Sequence, residues 1–286
     1  MHSQDLFIKG ILPELSFKFL LVSICDSLND IDHVQNLSID SKTILGEVLA
    51  GTFLLTSSEV KQDFEMIGIQ IVSDGVIKKI LGYAKPTGEI RGMIIPNDLQ
   101  KTDSYSDLFK NSLLQVNKFI KESQKVYSSL IDLKPISFSK NLENYIQKSN
   151  QTNSFIKILS LNNPNVKIYG YIFEPFPDTH WRQIDKLADF LSKMDPEEFL
   201  TNVFHLKNQK KNFTQKWKTK ILSTGSIFFK CSCSKDKIEN LILSLGRKEV
   251  IQILEEEGKV EIICEFCKKK YIYTEKDIKE LFTRGY

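Results

Sequence analysis

Phe229-Lys230-Cys231-Ser232-Cys233-Ser234 and Cys264-Glu265-Phe266-Cys267-Lys268-Lys269-Lys270-Tyr271 carry four of the five cysteines of this 286-residue chain. They form a Cys-x-Cys pair and a Cys-x-x-Cys pair, separated by a stretch long enough for one supersecondary unit. That is the layout of a four-thiolate zinc site. Ordinary zinc ribbons and fingers leave two to four residues between paired ligands, so the single residue between Cys231 and Cys233 is unusually tight. The two thiols are close enough to chelate one metal and close enough to oxidise to each other.

The flanking residues build a small module around these ligands. Ser234 reads as the N-cap of a helix through Ile238, Leu241, Ile242 and Leu245, ending at Gly246. Val250 to Glu256 continues as helix and closes at Gly258. Val260 to Cys264 reads as a strand, Glu265 to Lys268 as a tight knuckle, and Tyr271 to Tyr273 as the return strand. Thr274 caps a last helix, Glu275 to Phe282, with Asp277 as capping-box partner. So short a module buries too little apolar surface to be robust alone, and a metal staple supplies the deficit. Four thiolates around zinc leave no open position for a substrate, which disfavours a zinc hydrolase. Lys230, Lys235, Lys268, Lys269 and Lys270 are placed in sequence to offset the charge of the thiolates. Metal binding at such sites is worth roughly 10–16 kcal/mol, against roughly 5–15 kcal/mol for the whole stability of an ordinary domain. Loss of the ion should therefore unfold the module. Each cysteine also has a partner one or two residues away, so thiolates attacked by peroxide can condense locally, and disulfide sulfurs make poor zinc ligands. A plain structural zinc, reduced throughout, is the alternative that spacing leaves open.

Upstream, alternating apolar patterns predict strands at Leu6 to Ile11, Leu15 to Cys25, Phe64 to Val72, Val76 to Tyr83 and Ile90 to Ile95. Further strands are expected at Leu113 to Ile120, Val126 to Asp132, Phe155 to Leu161 and Val166 to Phe173. Ser73-Asp74-Gly75 and Pro86-Thr87-Gly88 mark turns. Helices fit Asp40 to Ser57, with Ile44, Leu45, Val48, Leu49 and Phe53 on one face and Asp40 or Ser41 as N-cap, and Lys140 to Ser149. The fold class is α+β: an N-terminal, mostly antiparallel-sheet domain with helices (1–177), a charged helical linker (178–230) and a small C-terminal zinc-binding module (231–286). In the linker, Trp181 to Phe204 reads as two helices divided near Asp195-Pro196. A lysine-rich stretch follows in which Phe213 and Trp217, four apart, form an apolar helical stripe able to dock on a neighbour.

Bulk properties narrow the function classes. With 39 basic and 36 acidic residues the net charge is +3, too weak an excess to favour a polyanion partner. No apolar run approaches the ~18 residues of a membrane span. The start, Met1-His2-Ser3-Gln4-Asp5, lacks a secretory leader, so a cytoplasmic protein with reduced thiols is expected. Cys25, alone in an apolar run, reads as a small buried hydrophobe.

The two cysteine motifs, with Leu245-Gly246 and Glu257-Gly258-Lys259-Val260 between them, closely resemble the redox-regulated 33 kDa heat-shock chaperonin family. Weaker likeness runs through Leu45-Gly46, the Ser73-Asp74-Gly75 turn, Gly88-Glu89-Ile90-Arg91-Gly92 and Tyr145-Ile146-Gln147-Lys148-Ser149-Asn150-Gln151. The resemblance implies an ATP-independent holdase with no enzymatic activity, holding one zinc ion and inactive when reduced. Cys231, Cys233, Cys264 and Cys267 would be its metal ligands and, paired as neighbours Cys231–Cys233 and Cys264–Cys267, its redox disulfides. Oxidation would unfold the zinc module and linker, with Phe213 and Trp217 as candidate client-binding residues. Partners would be unfolding proteins, the chain being a monomer when reduced and a dimer when oxidised, and no membrane or nucleic acid is expected. Departures are Tyr169-Gly170-Tyr171 where the family often has a glycine pair, and Glu47 where an arginine is common. A zinc-ribbon nucleic-acid-binding protein, using the linker lysines and Lys268 to Lys270 on phosphates, is the alternative from another class. A thiol-disulfide oxidoreductase lacks the βαβ context it would need.

Overall fold

A computed structural model describes residues 5–56, 64–100, 105–120, 125–162, 164–205 and 217–284. It divides into two units, Met1–Lys230 and Cys231–Tyr286. The first is organised around one helix that is buried along most of its length. β1 (Leu6–Leu12) and β2 (Phe17–Ile24) form a hairpin, followed by α1 (Asp26–Gln35) and α2 (Ile39–Leu55). Then come β3 (Phe64–Val72), β4 (Lys79–Ala84), β5 (Glu89–Ile95), the single turn α3 (Tyr105–Leu108), β6 (Leu113–Ile120) and β7 (Val126–Asp132). α4 (Phe138–Asn150), β8 (Phe155–Asn162), β9 (Val166–Pro175), α5 (Trp181–Lys193), α6 (Pro196–His205), β10 (Lys220–Ser226) and β11 (Phe228–Phe229) complete the unit.

Two sheets result, in the orders β10-β1-β2-β9-β8 and β11-β5-β4-β3-β6-β7. All neighbours are antiparallel except β11 beside β5. α2 touches strands of both sheets. Its sequence is apolar on every side, and Leu45, Val48, Leu49, Ala50, Phe53 and Leu54 are all buried, as suits a helix with no solvent face. Its expected single apolar stripe is thus corrected, and its N-cap is Ser38, whose hydroxyl accepts from Ser41 N–H. Glycine is required at two of its positions by close approach: a Cβ on Gly46 would lie 2.6 Å from Ile168, and one on Gly51 2.6 Å from Leu142 and Phe138.

Most expected strands stand within a residue or two of their predicted bounds, while β4 starts three residues later than Val76 because residues 73–78 turn back on themselves. Ser73 N–H donates to Lys78 O, and Ser73 Oγ accepts from Gly75 N–H. α1 was not expected. Its N-terminus is capped from far upstream by Asp5, whose carboxylate accepts from the N–H groups of Cys25, Asp26 and Ser27 at 2.6–2.8 Å.

The largest correction concerns residues 178–230. Among the described residues two helices form, but Lys220–Ser226 is a strand on the edge of the five-stranded sheet, with Leu6↔Ser226 and Ile8↔Thr224 in register. The lysine-rich surroundings hid β-favouring Ile221, Leu222 and Thr224, whose ladder partner lies at the other end of the chain. Ile227 behind it is 1% exposed in the main core, so this stretch is part of the first unit.

The second unit contains α7 (Lys235–Leu245), α8 (Arg247–Glu257), the hairpin β12 (Val260–Ile263) and β13 (Lys270–Tyr273), and α9 (Glu275–Arg284). Ser234 caps α7 and Gly258, at φ 71°, closes α8. Thr274 N–H and Oγ1–H donate to Asp277 at the start of α9. Its core is small: seven buried apolar side chains, among them Ile238, Ile242, Val250, Tyr271 and Ile278.

Candidate metal centre

Cys231 and Cys233 lie on the extended segment that enters α7, and Cys264 and Cys267 on the turn joining β12 to β13. That turn is a tight knuckle. Cys264 N–H donates to Lys269 O, Lys268 N–H donates back to Cys264 O, and Lys268 takes a left-handed φ of 55°. The knuckle thereby points both thiols at the first pair, and all four sulfurs lie within 4.8 Å of one another. The shortest separations are Cys231···Cys264 at 3.6 Å and Cys233···Cys267 at 3.4 Å. A tetrahedron with Zn–S near ~2.3 Å has edges of about 3.8 Å, so the donor set matches zinc in kind, number and spacing. All four expected ligands are brought together, and Cys25 is buried apart from them in the first unit.

Electrostatics favour one thiolate in particular. Burial pushes the Cys233 thiol up, but hydrogen bonds from the Tyr271 hydroxyl and the other three thiols outweigh it and bring it down to about 7. Burial, with hydrogen bonding to the other sulfurs, raises Cys231 and drives Cys267 up to about 12. Tyr271 O–H lies 3.2 Å from Cys233 Sγ, a donor that sequence reading missed. Its signal was there: Tyr271 stands on β13 in the alternation that also buries Tyr273. Four of the five lysines expected to balance the thiolates have other partners. Lys230 pairs with Glu89, Lys235 with Glu239 and Lys270 with Glu261, while Lys269 lies over the Tyr271 ring. Carboxylates competed for the same charges, and spacing alone does not show them.

The first unit holds a second feature of functional size. The outer face of the five-stranded sheet is aromatic, with Phe17, Phe19, Tyr169, Tyr171 and Phe173 all buried. α5 and α6 cover it. Leu187 and Leu200 are fully buried there, Phe204 stacks on Tyr169 at 5.7 Å, and Phe199 meets Tyr171 edge-on at 6.3 Å. Trp217 is 5% exposed and packs edge-on against Phe190 at 5.8 Å. It sits in a turn instead of the expected helix, and Phe213 lies outside the described residues. No helix among the described residues is long and apolar enough to cross a membrane.

A helix-centred sheet sandwich with its aromatic face under helices, joined in sequence to a small unit with four cysteines placed to hold a metal ion, defines a two-unit protein with a candidate metal centre. The family model described as "Hsp33 protein" matches residues 5–274, and the chain belongs to the Hsp33 family. Similar proteins include the 33 kDa chaperonin of Bacillus velezensis, 24% identical over 97% of this chain and 98% of its own length. The 33 kDa chaperonin of Pseudoalteromonas translucida is 23% identical over 98% and 99% of the two chains. The crystal structure of the 33 kDa chaperonin from Thermotoga maritima has the same fold, with a TM-score of 0.80 at 19% identity over 99% of both chains. The family is one of chaperones, and a chaperone function follows for this chain.

Proposed function

We propose that the chain is an ATP-independent holdase held inactive by one zinc ion on Cys231, Cys233, Cys264 and Cys267, and activated by oxidation of those thiols. The observation that carries this reading is the convergence of four thiols on a unit whose own core is only seven buried side chains. A bound zinc would act there as a cross-link that stabilises the unit and keeps the sulfurs ionised. Cys233, half-buried and with the Tyr271 hydroxyl beside its sulfur, is the thiolate proposed to attack peroxide. Its sulfur takes one peroxide oxygen as sulfenic acid while the other leaves as water. A neighbouring thiol then attacks that sulfur, its S–S bond replaces the S–O bond, and the sulfenic oxygen leaves as water. Two such events consume two peroxides and four thiols.

The disulfides proposed are Cys231–Cys233 and Cys264–Cys267. Folded-state separations do not select them, since four sulfurs in a tetrahedron are near-equidistant. Once the first disulfide forms and the unit loosens, sequence proximity favours neighbours, because short loops close at least entropic cost. The surface then presented to clients is the aromatic face beneath α5 and α6, with Trp217 at its edge. Proteins in partial unfolding, rich in exposed apolar side chains, are the matching partners, and the cytoplasm is the compartment whose reducing poise would keep the thiols ready. The active form is proposed to be a dimer. Reduced and peroxide-treated protein should be compared for suppression of aggregation of a heat-unfolded client. Activity only after peroxide, reversed by dithiothreitol, supports the reading; equal activity in both states overturns it.

A further inference from the structure

Every open β-sheet has edges, and an unprotected edge is a template for another strand. The first unit treats its edges differently. At β8 the outward amides of Ile156 and Ile158 are taken by α4 side chains, Glu143 Oε1 at 2.8 Å and Ser139 Oγ at 2.9 Å. β10 carries Lys220 and Gly225 and meets β1 through a register shift at Lys9/Gly10. β11 is only two residues long. β7 has none of these protections. Among the described residues no strand pairs with its far side, and its ladder with β6 is regular over seven residues. Val126-Tyr127-Ser128-Ser129-Leu130-Ile131 contains no charge, glycine or proline. Val126, Tyr127 and Leu130 are 49%, 57% and 60% exposed.

Beside this edge runs a groove of about 340 Å³ against α4, floored by Tyr145. Tyr145 is 2% exposed, and its buried hydroxyl has no hydrogen-bond partner among the described residues. The charges on the groove are Asp132 and Lys148, one of each sign. We propose that β7 pairs with an extended, uncharged, apolar segment of an unfolded polypeptide, adding it as a further strand of the six-stranded sheet. Alternate residues of β7 direct N–H and C=O away from β6, and another extended backbone can pair with the whole row at once. An uncharged strip between a balanced acid and base suits a neutral segment. Affinity would come mainly from main-chain hydrogen bonds, with alternate apolar side chains lying on Val126 and Leu130. This tolerance of sequence fits a chaperone that receives many clients. The inference rests on the chaperone function and not on the redox reading, because β7 lies in the first unit and the four thiols lie in the second.

The test uses the full chain in dithiothreitol and a fluorescein-labelled, seven-residue peptide of alternating valine and threonine. Fluorescence anisotropy should show saturable binding, and amide exchange should slow across residues 126–132 and not across 220–226. Leu130→Lys, at an exposed position, should weaken binding at least tenfold with unchanged thermal unfolding. Leu222→Lys on β10, also exposed at 66%, should leave binding within twofold. Binding unchanged by Leu130→Lys, or lost equally with Leu222→Lys, would overturn the proposal. So would peptide-free dimerisation of the reduced chain that Leu130→Lys abolishes, because β7 would then serve a second copy. Peptide binding on β7 without any peroxide-induced gain in client protection would sink the redox reading and leave this one standing.

Discussion

At the scale of single residues, the site depends on four sulfurs and the groups that aim them. Cys264→Ser or Cys267→Ser removes one of the four thiols proposed to hold zinc. Each should abolish stoichiometric zinc by metal analysis and leave residues 231–284 open to amide exchange, with partial client protection in reducing buffer. Tyr271→Phe deletes the hydroxyl 3.2 Å from Cys233 Sγ while keeping the buried ring. It should raise the pH at which protons displace zinc from the reduced protein, read as zinc release to a colorimetric chelator on acidification. Glu47 is a different kind of residue. Burial raises its carboxyl pKa, only partly offset by the hydrogen bond from Ser160. A carboxyl whose folded pKa lies above its unfolded one binds more protons when folded. Its contribution therefore worsens as pH rises through the usual glutamate range, near about 4.3. Glu47→Gln should raise the melting temperature at pH 7 by a few degrees, on a scale of about 2–4 °C per kcal/mol. The gain should shrink towards pH 4; a gain independent of pH would contradict it.

At the scale of elements, α5 and α6 act as the cover of the aromatic face. Leu187→Ala or Leu200→Ala empties a fully buried position at that seam and should cost about 2–5 kcal/mol. The expected result is faster chymotryptic cleavage within 181–205 and measurable client protection without oxidant; unchanged cleavage would mean the helices are not the labile layer. What the sequence disclosed here followed from periodicity. β6, β7, β8 and β9 were read as strands, and Ser234 and Thr274 stand before their helices as caps, whereas Ser137, which caps α4, was not read as one. α1 was hidden because Asp26-Ser27-Leu28-Asn29-Asp30 has weak helix formers and its cap, Asp5, comes from across the fold. β10 was hidden because strand pairing over more than 200 residues of sequence leaves no local trace, while its lysines spoke for a solvated helix. The four ligands were legible since metal chelation needs pairs close in sequence. Tyr271 and the covered aromatic face were not, since both arise from packing between elements.

At the scale of the molecule, the two units should respond separately to loss of metal. The first has a continuous core running from Phe7 through α2 to Ile227, whereas the second has its small cluster and the thiols. A chelator added to reduced protein should open residues 231–284 to amide exchange while β2, β9 and α2 stay protected. Simultaneous opening of both would deny the units independent stability. The central claim is that thiol oxidation, loss of metal binding and client protection are one event. It is tested by a peroxide titration in which free thiols, zinc released to a colorimetric chelator and suppression of client aggregation are read on the same samples. The account predicts that four thiols and one zinc disappear in parallel and that protection rises with them; protection that appears with zinc still bound, or zinc loss that brings no protection, would contradict it.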